Sequence, residues 1–159
     1  MAMKYLLGID FGGGASKATL LGTDGKIAAT NTVEYPTYHE KSGWCEQKCE
    51  DWFTALCENT KALLEKSGIS PSDILSVAID SATHTFLLTD ENGSPLRPAI
   101  HWTDSRSTKE AKDLRDSHLD FIVEHTFHKP DTIWTLPQLM WVRDNEPEIY
   151  AKARKIFFE

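Results

Sequence analysis

The sequence predicts an α/β fold in which a mixed sheet is flanked by helices. Three observations carry that expectation: short apolar runs separated by turn residues across the first third, helical periodicity over residues 50–66, and a helix-rich stretch beyond Arg106. Residues 5–9 are apolar up to Asp10, residues 17–21 alternate, and residues 27–35 are rich in Thr and Val, so three strands are expected. Thr23-Asp24-Gly25-Lys26 is a hairpin signal between the second and third. Trp52, Phe53, Leu56, Cys57, Leu63 and Leu64 recur at helical spacing and leave Glu50, Asp51, Glu58 and Lys61 for water, which predicts an amphipathic helix ended by Gly68. Ser70-Pro71-Ser72-Asp73 reads as a cap and first turn, and residues 74–79 as a short buried strand.

Residues 86–89 and 99–102 bracket Asn92-Gly93, which predicts a second hairpin whose return arm Pro95 and Pro98 keep irregular. Ser107 and Glu110 make a capping box, Pro137 sits in the first turn of another helix, and Asn145 with Glu148 caps a third. Ile156-Phe157-Phe158 then begins a strand, with neither turn nor partner expected for it before Glu159. Domains rarely end just after starting an apolar strand, so a stretch of a longer chain is expected. Cutting such a sheet exposes apolar strand edges, and poor solubility is expected of the stretch alone.

With 159 residues and 40% apolar content the chain suits ordered structure. Its 17 Lys and Arg against 24 Asp and Glu give a net charge of −7, which opposes sequence-independent binding to nucleic acid or an anionic membrane. No apolar run approaches the about 20 residues that cross a bilayer. Met1-Ala2-Met3-Lys4 leads into a strand-like segment and not a cleavable signal, so a cytoplasmic location is expected. Cys45, Cys49 and Cys57 are too few and too clustered for a disulfide framework. With His39 nearby they still lack zinc-knuckle spacing, and they are expected to be packing residues.

Three glycines between two strand-like segments make Gly8-Ile9-Asp10-Phe11-Gly12-Gly13-Gly14-Ala15-Ser16-Lys17 the most informative stretch. Such a turn can aim backbone N–H groups at an anion. The P-loop pattern G-x-x-x-x-G-K-S/T is absent, and a strand follows where a Rossmann fingerprint needs a helix. Two readings remain: a phosphate-binding hairpin with Asp10 at its mouth to hold Mg²⁺ or its water and Lys17 as a phosphate charge, or a glycine-rich turn without a ligand.

Several motifs together resemble the FGGY family of carbohydrate kinases. Gly8, Ile9, Asp10, Gly12 and Lys17 match the family's G-I-D-x-G-T-T/S-x-x-K/R. Gly43-Trp44-Cys45-Glu46-Gln47 with Glu50-Asp51-Trp52 resembles G-W-x-E-Q-D-P-x-x-W, with Lys48-Cys49 in place of the capping Asp-Pro. Asp90, Gly93, Pro95-Leu96-Arg97-Pro98-Ala99-Ile100, Trp102, Asp104 and Arg106 are similar to D-x-x-G-x-P-L-R-P-A-I-x-W-x-D-x-R. Leu139, Trp141 and Asn145-Glu146-Pro147-Glu148 resemble L-x-W-x-x-x-N-E-P-E.

The resemblance implies a ribonuclease H-like, actin-like ATPase fold. The chain would be the N-terminal portion of the first kinase domain, with the rest of that domain, a second domain and an Asp base lying beyond Glu159. It also implies transfer of the γ-phosphoryl of ATP, with Mg²⁺, to a sugar hydroxyl, a pentulose such as xylulose first. On the nucleotide side stand Asp10, Gly12, Gly13, Gly14, Ser16 and Lys17, with Asp10 for the metal. On the sugar side stand Thr83, His84 and Thr85, from the run Ser81-Ala82-Thr83-His84-Thr85 that corresponds to G-Q-M-H-G in xylulose kinases, together with Trp102, Asp104 and Arg106. An imidazole offers adjacent hydroxyls both a donor and an acceptor. For His84 the bland alternative is a loop histidine facing water, and for Asp104 with Arg106 a structural ion pair at a helix start.

Partners would be a small sugar and ATP, with a homodimer as the candidate assembly of the whole protein. Gly13-Gly14 stands where the family has two hydroxyl residues, so a catalytically weak sugar or nucleotide sensor is the second reading. A phosphatase or acyl kinase of the same fold is a third.

Overall fold

The computed structural model describes residues 3–158. Met1, Ala2 and Glu159 lie outside the described residues, and with them the expectations about the leading dipeptide and the last residue. In chain order the elements are β1 (Tyr5–Phe11), β2 (Ala15–Gly22), β3 (Ile27–Glu34), β4 (Glu46–Gln47), α1 (Cys49–Ser67), β5 (Ile74–Ser81), β6 (Phe86–Thr89), β7 (Ala99–Ile100), α2 (Thr108–Thr126), α3 (Thr135–Asn145), α4 (Pro147–Lys152) and β8 (Lys155–Phe158). A single 3-10 turn, Pro71–Asp73, precedes β5 as the Ser-Pro-Ser-Asp signal predicts. The chain divides into two compact units, Met1–Pro36 with Lys48–Ala82 and Thr37–Gln47 with Thr83–Glu159. Among the described residues no helix is long and apolar enough to cross a membrane.

The first unit is a four-stranded sheet in the order β3-β2-β1-β5, antiparallel except where β5 runs parallel to β1. Alternation decides its faces: Leu7, Ile9 and Phe11 of β1 and Ala18 and Leu20 of β2 are buried with Tyr35, Ala55 and Leu63. Helix α1 covers this face over β2 and β3. It ends where Gly68 adopts the left-handed conformation at φ 67° and donates its N–H to Leu64 O.

Two expectations fail here. The buried stripe of α1 runs through Trp52, Ala55, Leu56, Asn59 and Leu63, and Phe53 and Cys57 face water, so neither is a packing residue. The polar Asn59 disguises that stripe: it is fully buried, donates to Ser16 O at 3.0 Å and accepts from Asn31 Nδ2 at 2.9 Å. Strand β5 is not buried either. Leu75, Val77 and Ile79 are each more than half exposed, because α1 lies over β2 and β3 and leaves the β5 edge bare.

The second unit is an antiparallel sheet in the order β4-β7-β6-β8, with Phe86, Leu88, Ile100 and Val142 in a core that Leu139, Trp141 and Ile149 complete. The strand expected to lack a partner has one: β8 pairs with β6, Phe158 opposite Phe86. The capping box fails. Ser107 is the N-cap of α2, but its ψ of 26° is not the extended value that lets a cap side chain reach back, and it makes no cap hydrogen bond. Glu110 is buried instead of reaching for the cap. The third helix starts one residue late, with Glu146 as cap and Pro147 first, while Asn145 closes α3 by donating to Trp141 O.

Candidate functional site

In the first unit β1 hands over to β2 through Gly12-Gly13-Gly14. The Gly12 N–H donates to Ala15 O at 3.0 Å, the Tyr35 N–H to Gly14 O at 3.1 Å, and the Tyr35 hydroxyl to Gly12 O. Neither Gly12 nor Gly14 is left-handed, and a Cβ at Gly14 would meet nothing within 4 Å. Register sets the side chains beside this turn. Asp10 lies opposite Lys17 on β2 and opposite Asp80 on β5, so Asp80, Asp10 and Lys17 form one exposed row on the face away from α1. Asp10 and Lys17 make no ion pair among the described residues.

Ser16 corrects an expectation. It pairs with Phe11 in the inward register and is fully buried, on the opposite face from Lys17, and cannot reach a phosphate lying over that row. Asp80 was missed, although the signal is legible: Ala78-Ile79-Asp80 repeats the small-Ile-Asp pattern of Gly8-Ile9-Asp10. The donor set suits a hard divalent cation, since like charges on neighbouring strands repel and a cation beside them relieves the repulsion.

In the second unit the loop before β6 carries the expected run. Thr83 is exposed, His84 half-buried, and Thr85 fully buried, so Thr85 presents no atom at the surface. His84 is one of two non-glycine residues with positive φ among those described, at 64°. That backbone costs about 1–2 kcal/mol in a residue with a Cβ. Its ring meets Trp134 edge-on at 4.5 Å between centroids, and its Nδ1 lies 3.5 Å from Thr135 Oγ1. Trp102, after β7, is 41% exposed and offers an apolar face, while the adjacent His101 is buried.

Asp104 and Arg106 are built into a buried ion network. Asp104 accepts hydrogen bonds from Cys45 N at 2.6 Å, from Arg106 N at 2.9 Å and from Arg106 Nη2 at 2.8 Å. Arg106 Nη2 also reaches Glu46 Oε1 at 2.8 Å, Glu46 pairs with Arg97, and Arg97 Nε lies 3.2 Å from Glu146 Oε2. The Arg106 guanidinium stacks 3.8 Å above Trp44, whose ring meets Trp141 edge-on at 5.4 Å. Burial lowers the Arg97 pKa against the pull of Glu146 and Glu46. With side chains 0% and 1% exposed, Asp104 and Arg106 have the geometry of the structural ion pair and expose no group to a sugar in this structure. From sequence, Glu46 and Arg97 were named only as motif matches and given no role in the site.

Burial also pushes the Cys45 thiol up, and His101 Nδ1 lies 3.4 Å from its sulfur. Among the described residues no group of three or more His, Cys, Asp or Glu is arranged to hold a metal.

The chain is similar to known proteins along almost all of its length. The family model for the FGGY family of carbohydrate kinases, N-terminal domain, matches residues 5–159. A xylulose kinase of Bacillus subtilis is 33% identical over 151 residues, covering 95% of this chain and 30% of that protein. A glycerol kinase of Thermococcus gammatolerans is 28% identical over 152 residues, covering 96% and 31%. The crystal structure of a xyloylose kinase from Brucella ovis superposes with a TM-score of 0.90 at 29% identity, over 98% of this chain and 32% of that one. The chain thus spans about a third of the length of the relatives it matches.

Proposed function

The chain belongs to the FGGY family of carbohydrate kinases, with the expected actin-like ATPase fold, and we propose that it supplies the phosphate loop and part of the sugar site of an ATP-dependent sugar kinase. On this reading the remainder of the first domain, the second domain and the Asp base belong to a longer chain. One observation carries the proposal: a carboxylate and an ammonium, Asp10 and Lys17, without an ion pair among the described residues, stand in register beside a hydrogen-bonded glycine hairpin. Phosphoryl transfer asks a protein mainly for positioned charge and aligned groups.

Asp10, with Asp80 beside it, would hold Mg²⁺ or one of its waters, and Lys17 would face phosphate oxygens. Bound Mg-ATP supplies the γ-phosphoryl group. The backbone around Gly12, Gly13 and Gly14 lets phosphate approach without a Cβ in the way. On the sugar side His84 would bond adjacent hydroxyls and Trp102 would cover the carbon face, with Thr83 at the rim. Asp104 and Arg106 would act by holding that region in shape. A pentulose such as xylulose is the substrate class that the retained His84 favours, and the xylulose kinase relative supports it.

The test is ADP release by the complete protein across a panel of ketoses, polyols and sugar acids, beside His84→Gly, which removes the imidazole and tolerates the left-handed backbone. One ketose should stimulate release, and the variant should lose that stimulation. Gly13-Gly14 in place of two hydroxyl residues favours the second reading, a sugar or nucleotide sensor, and ATP binding without sugar-stimulated release would select it.

A further inference from the structure

His84 is held from two directions by residues that open α3. Trp134 presents its indole to the imidazole at 4.5 Å and 71°, an edge-to-face contact that fixes the ring plane, and His128 packs on the same indole at 4.9 Å. Thr135 Oγ1 stands 3.5 Å from Nδ1, at the outer limit of a hydrogen bond, and His84 Nδ1 is the partner of that hydroxyl among the described residues. Nε2 makes no hydrogen bond among the described residues.

The partner on one imidazole nitrogen decides which nitrogen carries the proton, and therefore what the other offers. A threonine hydroxyl either donates to Nδ1 or accepts from Nδ1–H, and where it donates the ring proton sits on Nε2. We infer that Trp134 and Thr135 are positioning residues for His84: Trp134 sets the plane of the ring, and Thr135 selects the tautomer in which Nε2–H donates to a ketose hydroxyl oxygen. The inference rests on the reading of His84 as a sugar contact and extends it to residues that need not touch the sugar. It also gives the left-handed backbone of His84 a purpose, because that conformation delivers the ring to α3.

The experiment uses the complete protein in four variants: Trp134→Ala, Trp134→Phe, Thr135→Val and His84→Gly. Trp134→Ala should raise KM for the stimulating ketose by about ten- to hundredfold, the scale of a misplaced contact, while kcat and KM for ATP stay within about twofold. Trp134→Phe restores a ring edge and should recover most of that loss. Nitrogen-15 spectra of the His84 ring should show an Nε2–H tautomer in the parent and a shift of that population in Thr135→Val.

An unchanged ketose KM in Trp134→Ala, with His84→Gly still impaired, overturns the inference alone. So does a rise in both KM values together without rescue by Trp134→Phe, which marks a merely structural role. An unchanged tautomer in Thr135→Val overturns the part assigned to the hydroxyl. A silent His84→Gly overturns the sugar reading of His84, and the inference with it.

Discussion

Replacing Asp104 by Ala should destabilise the chain by about 3–5 kcal/mol, the cost of removing one partner from a buried ion pair. The structure supports the upper part of that range. Asp104 is fully buried and takes hydrogen bonds from Cys45 N and from both the backbone and side chain of Arg106. Each buried donor left without an acceptor costs about 1–3 kcal/mol, and this overlaps the pair energy without adding to it. Among the described residues Arg106 then keeps Glu46 as its ionic partner, for a guanidinium that is 1% exposed. Urea unfolding followed by tryptophan fluorescence is the assay, since Trp44 lies directly beneath that guanidinium. At a slope of about 2 kcal/mol per molar, the midpoint should fall by about 1.5–2.5 M. Asp104→Asn retains one of the two acceptor oxygens and should lose less. In a double-mutant cycle with Arg106→Met, the double variant should be more stable than the summed single losses predict. A loss below about 1 kcal/mol, or strict additivity, refutes the network as a unit.

Burial holds the His101 imidazole below its ordinary pKa of 6.5, so under that pH the unfolded chain binds a proton that the folded chain refuses. Stability present above about pH 6.5 should therefore drain away as pH falls towards the folded value, and His101→Gln should flatten the slope of urea midpoints between pH 7.5 and 5; equal slopes contradict this. Gly14→Ser meets an open space and an ordinary backbone, so it should be neutral or stabilise by about 0.4–1 kcal/mol through the unfolded chain, read as a rise in Tm. A clear fall in Tm would mean the turn needs glycine there. Val77 and Ile79 are 54% and 62% exposed, and lysine at both should reduce light scattering by the 159-residue chain without lowering Tm. Unchanged association would place the sticky surface elsewhere.

Elements whose cause is local were readable from the chain. Strands β1 to β3 announce themselves by apolar alternation and a turn, and α1 ends at the glycine that any reader of helix stops would choose. What failed depends on neighbours far along the sequence. Asn59 faces inward because Ser16 and Asn31 wait for it, and no periodicity in α1 says so. Val77 and Ile79 look like core by composition and stand exposed because α1 stops short of their strand. Lys17 and Ser16 are adjacent in the motif, yet the pleat sends them to opposite faces, so a motif alone cannot say which of them meets a ligand. The ion network was half legible: Asp104 and Arg106 are two residues apart, whereas Glu46 arrives from β4.

Three glycines in a row ought to be the most restless point of a polypeptide, since each ordered residue forfeits about 1–2 kcal/mol of backbone freedom and glycine more than most. Tyr35 changes that. By its amide on Gly14 and its phenol on Gly12, one residue beyond the end of β3 stitches both sides of the turn. The disorder is thus surrendered when the sheet forms, before any anion arrives. Stiffness at the turn is inherited from a strand about twenty residues away, and it survives even where the turn itself has no side chains with which to be stiff.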